Sequence, residues 1–319
     1  MTAPAPIISV TEPLSWAFAR MKLILFQPFV LERWFVIGFC AWLAELGSTG
    51  GNFNFNMTGG RNQPKLKKTA EEAWDYIQAN LDWILPLAIG IVLLLLALWV
   101  LMVWLSSRGQ FMFLHCVTGN VAEVRAPWHR YRAHGSSLFR FRLALVGLTL
   151  VVSLPGLAIL GLLITQMVRR GAPDTTSIVV CVSVFLFVVC VGIVMALAQK
   201  LTSDFVVPIM WLRTPRCVEA WREFLRLLAG HKADLALYVI FQIVLHLGAS
   251  VALIFVGLAT CCVGFCLLAV PYLGTVVSLP LPVFFRSYSL YYLAQYGDAY
   301  NVFAQSQPPS APVPPAPAV

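Results

Sequence analysis

Charge is what this chain has least of. Asp, Glu, Lys and Arg make up 11% of its 319 residues, against about 25% in an average soluble domain. Apolar residues make up 59%, and the mean hydropathy is +0.80. So little polar surface cannot coat a globule of this size, which excludes a soluble enzyme, a disordered regulator and a fibrous protein. Paired metal-site cysteines are also lacking. The eight cysteines form no C-x-x-C, and Cys262 and Cys266, four apart, have no further Cys or His nearby to complete a site. They read as buried thiols that behave as small hydrophobes. H-E-x-x-H, G-x-S-x-G, Walker and G-x-G-x-x-G motifs are absent, so no catalytic residue, metal or cofactor is predicted. No cleavable signal peptide is expected, because Arg20, Lys22, Glu32 and Arg33 interrupt the first apolar stretch.

What the chain does have is long apolar runs. Residues 83–105, 143–167 and 177–199 are uncharged over 23, 25 and 23 residues, and 235–285 over 51. A membrane helix needs about 20 residues. The longest run would measure about 76 Å as one helix against about 30 Å of hydrocarbon, so it must turn back. The turn is placed at 259–264, which predicts spans at 83–105, 143–167, 177–199, 235–258 and 261–285. A sixth segment, 34–46, has only 13 residues. It either crosses tilted, with Arg33 snorkelling to the interface, or lies as a re-entrant or interfacial helix. Six spans put 16 of the 22 Lys and Arg on the side of the N-terminus. The positive-inside rule then places both termini in the cytoplasm, in a cell (inner) membrane. The net charge of +8 therefore belongs to topology-setting loops, and no nucleic-acid partner is expected. The expected fold class is an all-α membrane protein. It has one domain over 1–304, then a disordered tail over 305–319 with six prolines. The segment 47–82 reads as a Gly- and Asn-rich loop followed by a short helix over 70–79, capped by Thr69.

A threefold layout organises the spans. Trp16, Trp128 and Trp221 each begin an amphipathic stretch that leads into a hairpin of two spans. Around Trp221, Val218, Leu225 and Leu228 share its face. Around Trp16, the face holds Leu14, Phe18, Met21 and Leu25. Each hairpin leaves through a polar-aromatic patch, marked by Arg108, Asp204 and Arg286. Three hairpins with three cytoplasmic interfacial helices is the expected architecture, and parallel repeats of this kind occur in transporters.

Several strings carry a family resemblance. They are Ala41-Trp42-Leu43, the run from Asp204 to Met210, Ala220-Trp221-Arg222, Cys261-Cys262, the run from Pro271 to Val276, Leu279-Pro280 and Phe285-Arg286-Ser287-Tyr288. Over most of residues 10–303 the chain resembles an uncharacterised prokaryotic multi-pass membrane domain. That domain is similar to the one attached to some glycerophosphodiester phosphodiesterases. The resemblance implies a stand-alone bacterial inner-membrane protein without assigned chemistry. Phosphodiesterase activity does not carry over, because it belongs to a separate barrel of about 250 residues, and the longest stretch outside the spans, 47–82, has 36.

The polar residues that remain define the candidate site. Gln242 and His246 lie four apart on one helix face inside a predicted span, where a polar group is costly unless it is partnered. Asp204, between two arginines in the threefold layout, is expected to pair with Arg286, Arg108 or both, and so to close the inner mouth of the bundle. The loop holding His115, His129, His134 and six arginines is suited to anionic lipid headgroups. Prolines 155, 208, 271, 280 and 282 interrupt or border spans, and the last three, with Gly274, imply a bent or broken sixth span. The leading functional expectation is a non-catalytic membrane module that binds lipids or protein partners, or a second copy of itself, and scaffolds a complex. A small-molecule transporter or channel, supported by the repeat and the broken span, is the alternative. A lipid-active membrane enzyme comes third.

Overall fold

The computed structural model describes residues 8–46, 79–170, 175–213, 216–260 and 263–306. The loop expected at 47–60, nearly all of the helix expected at 70–79, Cys261-Cys262 and the proline-rich tail beyond residue 306 lie outside the described residues. Among those described, the chain forms helices and no strand. Four helices are long and apolar enough to cross a membrane: Asp82–Gly119, Arg132–Gln166, Thr175–Leu212 and Lys232–Ala259. The protein is a helical integral membrane protein.

The helices in chain order are α1 (Glu12–Phe26), α2 (Leu31–Glu45), α3 (Leu81–Gly119), the short α4 (Arg125–Arg130) and α5 (Arg132–Arg170). There follow α6 (Thr175–Leu201), a π turn (Thr202–Val206), α7 (Val207–Leu212), α8 (Cys217–Gly230) and α9 (Lys232–Ala259). The chain ends in α10 (Val263–Ala269), α11 (Pro271–Val277), α12 (Pro280–Ala294) and the short α13 (Val302–Ser306). Residues 305 and 306, expected in the tail, thus close a helix.

Two layers result. In one, the long helices are clothed mostly in exposed apolar side chains: α3 from Trp83 to Leu101, and α6 from Ile178 to Leu197 on the sides turned away from α5. In the other, the same helices continue into a packed core. That core holds Phe111, Leu114, Leu138, Phe205, Ile209, Tyr238, Tyr288 and Tyr292, together with α1, α2 and α8. The 26 residues of α3 from Leu81 to Ser106 span about 38 Å. That length matches a hydrocarbon core plus its margins.

The segment 34–46, expected to cross tilted or to lie as a re-entrant or interfacial helix, falls almost wholly within one helix that packs on protein. It forms α2, which packs against the inner end of α3 rather than beside residues 83–101. Its Ala44 carbonyl accepts hydrogen bonds from Ser106 Oγ (2.7 Å) and Gln110 Nε2 (3.1 Å). At its other end Arg33 reaches the carbonyl of Asn120 (2.7 Å). Arg20 of α1 donates to the carbonyls of Val117 and Thr118 (2.6 Å for the latter). Two arginines counted in the sequence as topology charges therefore cap the C-terminus of α3, where helix carbonyls lack partners and the dipole favours cations.

The segment expected to span at 261–285 is broken into α10, α11 and α12, as its prolines imply. Val270 takes an extended conformation because it precedes Pro271, and Pro271 and Pro280 each open a new helix. Pro86 and Pro155 stay inside their helices. The two amphipathic faces meet the core in part: Leu14, Met21 and Leu25 of α1 and Trp221 and Leu228 of α8 pack on it. In α8 the core takes Cys217, Ala220 and Phe224, while Val218 and Leu225 are 62% and 50% exposed. In α1 the core takes Ala17, Ile24 and Leu25, and Phe18 points away. A period of 3.6 residues fixes which residues are apolar together, but not which edge of a wide apolar arc finds protein.

The segment before α1 meets the end of α12. Ser9 and Gln295 exchange two hydrogen bonds (2.7 and 2.9 Å), and Tyr288 donates to the Val10 carbonyl (2.9 Å). Residues 9 and 295 therefore lie on one side of the protein.

Candidate functional site

The polar cluster forms where the exposed helices enter the core, and the sequence around Pro208 is its origin. In the π turn the Val207 amide donates to the Thr202 carbonyl, one residue further back than in an α-helix. The next carbonyl, that of Ser203, would by the same register take the amide of residue 208. Residue 208 is proline and has none. A buried carbonyl left without a donor is costly, and Arg286 of α12 supplies one through Nη1.

Around this contact lies a hydrogen-bonded network. Ser203 Oγ donates to Gln110 Oε1 (3.0 Å), Gln110 and Ser106 both reach Ala44, and Arg142 Nη1 donates to Ser106 Oγ (3.0 Å). These contacts run without a gap from Arg286 on α12 to Arg142 on α5. On the other flank, Asp204 accepts from Tyr238 (3.2 Å), Tyr238 accepts from Gln242 Nε2 (2.8 Å), and Lys200 lies 3.2 Å from the Asp204 carboxylate.

Each residue singled out from the sequence can now be located. Asp204 and Arg286 are neighbours, but the ion-pair partner of Asp204 is Lys200, one helical turn before it, and not Arg286 or Arg108. Arg108 stands apart. Its guanidinium lies over the rings of Trp104 (4.4 Å) and Trp128 (4.9 Å), which attract a cation through the quadrupole of the ring face. Gln242 joins the cluster through Tyr238. His246 does so only through the Gln242 carbonyl (2.7 Å), and its ring stacks on Phe285 at 3.9 Å between centroids. The three tryptophans of the threefold layout each sit against a span exit. Trp16 packs on Tyr291, Trp128 on Arg108, and Trp221 donates to Thr202 Oγ1 (3.2 Å).

The sequence reading did not single out Ser106, Gln110, Lys200 or Ser203 as site residues, nor Tyr238 and Arg142. Tyr238 was visible in principle, since Tyr238, Gln242 and His246 repeat at i, i+4 and i+8 on one face. Arg142 was counted as a loop charge, and only its position directly before an apolar run marked it as the last residue of the core.

The cluster is packed rather than open. Gln242 is 3% and Tyr238 1% exposed. An open recess of about 630 Å³ lies between α1 and α12, lined by Trp16, Arg20, Tyr291 and Phe303 among others, and none of the five candidate residues borders it. Among the described residues no group of His, Cys, Asp and Glu is arranged to hold a metal.

Comparison with known proteins gives one family. The model described as "Family of unknown function (DUF7544)" matches residues 8–272. No curated protein and no solved structure matches the chain.

Proposed function

The chain belongs to DUF7544, a family of unknown function, and from that premise we propose that it is a non-catalytic membrane module that binds anionic lipids and scaffolds partners at the cytoplasmic face of the cell membrane. One observation carries this reading. Four basic residues, Arg108, Arg142, Lys200 and Arg286, stand where the helices pass from exposure to burial. α3 is buried from Val103, α5 becomes exposed at Leu143, and α6 is buried from Leu201. The contacts Arg142–Ser106, Ser203–Gln110 and Tyr238–Asp204 hold these transitions at one level. A basic belt at the end of the apolar layer is the height of lipid phosphates, where each well-placed cation contributes about 1 kcal/mol of attraction to an anionic leaflet.

Residues 9 and 295 share a side, while α3 begins at the far end of the apolar layer and α9 ends there. The four long helices and the broken return through α10 to α12 support a plan built from antiparallel hairpins. The charge balance of the sequence favours the cytoplasm for the shared side. α8 fits an interfacial helix, since one edge of its apolar arc meets the core while Val218 and Leu225 are left for lipid. The dense packing around Gln242 and Tyr238 supports a scaffold over a transporter, which would require an aqueous cavity there.

Two measurements test the reading. In intact cells, Thr176→Cys should react with a membrane-impermeant thiol reagent, and Asn301→Cys only after permeabilisation. Protein purified in mild detergent should retain anionic phospholipid in preference to phosphatidylcholine. Labelling of Asn301→Cys from outside would overturn the orientation, and retention without regard to charge would overturn lipid binding.

A further inference from the structure

We propose that the belt contains a built site for a phosphoryl anion, held by Arg286, with Arg142 and Lys200 as flanking cations. The proposal rests on the lipid-binding reading and names the chemistry of its site.

The first argument is charge. Arg286 is 6% and Arg142 8% exposed, and a guanidinium remains protonated even when buried. Among the described residues, neither has a carboxylate oxygen within 4.0 Å; the ion pairs present join other residues. The carboxylate of the cluster, Asp204, is already held by Lys200 and Tyr238. Three cations thus face one anion in a layer largely closed to water. A buried charge without a counter-ion is strongly unfavourable, so the cluster is short of negative charge.

The second argument is geometry. Of the nitrogens of Arg286, Nη1 is used by the Ser203 carbonyl, while Nε and Nη2 are buried with no acceptor. Nε–H and the adjacent Nη2–H form one edge of the planar guanidinium. That edge is the fork that binds two oxygens of a phosphate or carboxylate side by side. The Ser203 contact fixes the plane of the group, so the unfilled edge is oriented in advance. Pro208 and the π turn, by freeing the Ser203 carbonyl, are what aim it.

The third argument is access. Lys200 is 40% exposed in its side chain, whereas Asp204 is 10%. Lys200 is therefore the movable member. Paired with Asp204 and partly in solvent, Lys200 marks the edge of the belt at which a phosphate arrives, and the side chains packed around Arg286 must part to admit it to the fork. A tetrahedral anion with several oxygens uses the fork and the flanking cations together. Two sources offer that chemistry: the headgroup of an anionic phospholipid and free inorganic phosphate.

The experiment uses the full chain in detergent, with thermal unfolding followed by tryptophan fluorescence. Phosphatidylglycerol, phosphatidylcholine, and sodium phosphate against sodium chloride at equal ionic strength are added in separate titrations. Lys200→Gln removes the ion-pair partner of Asp204 and should melt below wild type without ligand; measured against its own unliganded melting, its response to ligand should correspond to binding about tenfold weaker, as loss of one charge-assisted contact predicts. Arg286→Lys keeps the charge, lacks the fork, and should lose the response altogether; if it does not fold, Lys200→Gln still decides. Stabilisation by phosphatidylglycerol alone identifies a headgroup, and stabilisation by sodium phosphate as well identifies a free anion. No stabilisation by either, or a Lys200→Gln response equal to wild type, overturns the site and leaves water as the partner of Arg286. Anionic lipid retained by wild type with no dependence on these residues would refute the site alone; no selective retention would refute the broader reading.

Discussion

Replacing Gly109 by alanine tests where α2 belongs. A Cβ at this position would lie 2.6 Å from the backbone nitrogen of Ala44, 2.6 Å from the carbonyl carbon of Leu43 and 2.9 Å from the Leu43 Cβ. Two of these are main-chain atoms, so no rotamer change can relieve the clash and the helices must separate. Overpacking of this kind costs about 1–3 kcal/mol. The same separation stretches the two bonds that Ser106 and Gln110 make to the Ala44 carbonyl. Interhelical hydrogen bonds in membrane proteins contribute about 0.6 kcal/mol each, which brings the expected loss to about 2–4 kcal/mol. Gly147→Ala is the control, because an added Cβ there meets nothing within 4 Å. Alanine should be neutral or stabilising at that position, by up to about 1 kcal/mol. Both variants are compared by thermal unfolding in detergent, read by tryptophan fluorescence. Equal melting of the two would mean that α2 does not rest on the inner end of α3, and that the first apolar segment lies beside residues 83–101 after all.

Three further outcomes are expected. Trp128→Leu leaves Arg108 with one aromatic face instead of two and should cost about 0.5–2 kcal/mol in the same assay, with Trp128→Phe recovering part of it; equal loss in both would assign the effect to packing alone. Phe224→Ala, which empties a buried site stacked on Phe205 at 5.3 Å, should cost about 3–5 kcal/mol, whereas Leu225→Ala should cost less than about 1; a reversed order would mean that α8 is rotated. Burial pushes the Cys217 thiol from its ordinary 9.0 up to about 12. The folded protein therefore keeps a proton that the unfolded chain releases, so the contribution of this thiol is intact below pH 9 and is lost progressively toward pH 12. Cys217→Ser should fall less steeply in stability over that range, and an unchanged slope would refute the assignment.

The elements legible in the sequence are those with one physical solution. An uncharged run of more than 20 residues has no structure open to it in lipid except a helix; three of the four longest runs, and the first half of the fourth, form the four long helices. The prolines at 271 and 280 likewise act locally, and the breaks fall where they stand. α2 was less legible because its composition suits both lipid and a protein core, and hydropathy does not say which neighbour covers it. Among the candidate site residues, Arg108 was assigned to Asp204 by an analogy of position, although the spacing of Trp104 and Arg108, one helical turn apart, pointed to the indole. The junction of Arg286 with Ser203 was half legible. Pro208 announces that a nearby carbonyl will lack its amide, but the donor that answers lies some 80 residues further along, and only the fold could name it.

The π turn also separates two kinds of length in this protein. It contains one residue more than regular α-helix would, which advances everything after it by about 100°. Before the turn, α6 packs chiefly on α5, and most of its circumference faces outward. After it, Val207, Ile209 and Met210 are buried on several sides at once, and their angular phase cannot drift. Matched shortening or lengthening of the hairpin over residues 143–166 and 178–197 would change how deep the protein reaches without turning α7 in its socket. The same core could then serve bilayers of different thickness, with reach set in the hairpin and orientation set at residues 202–206.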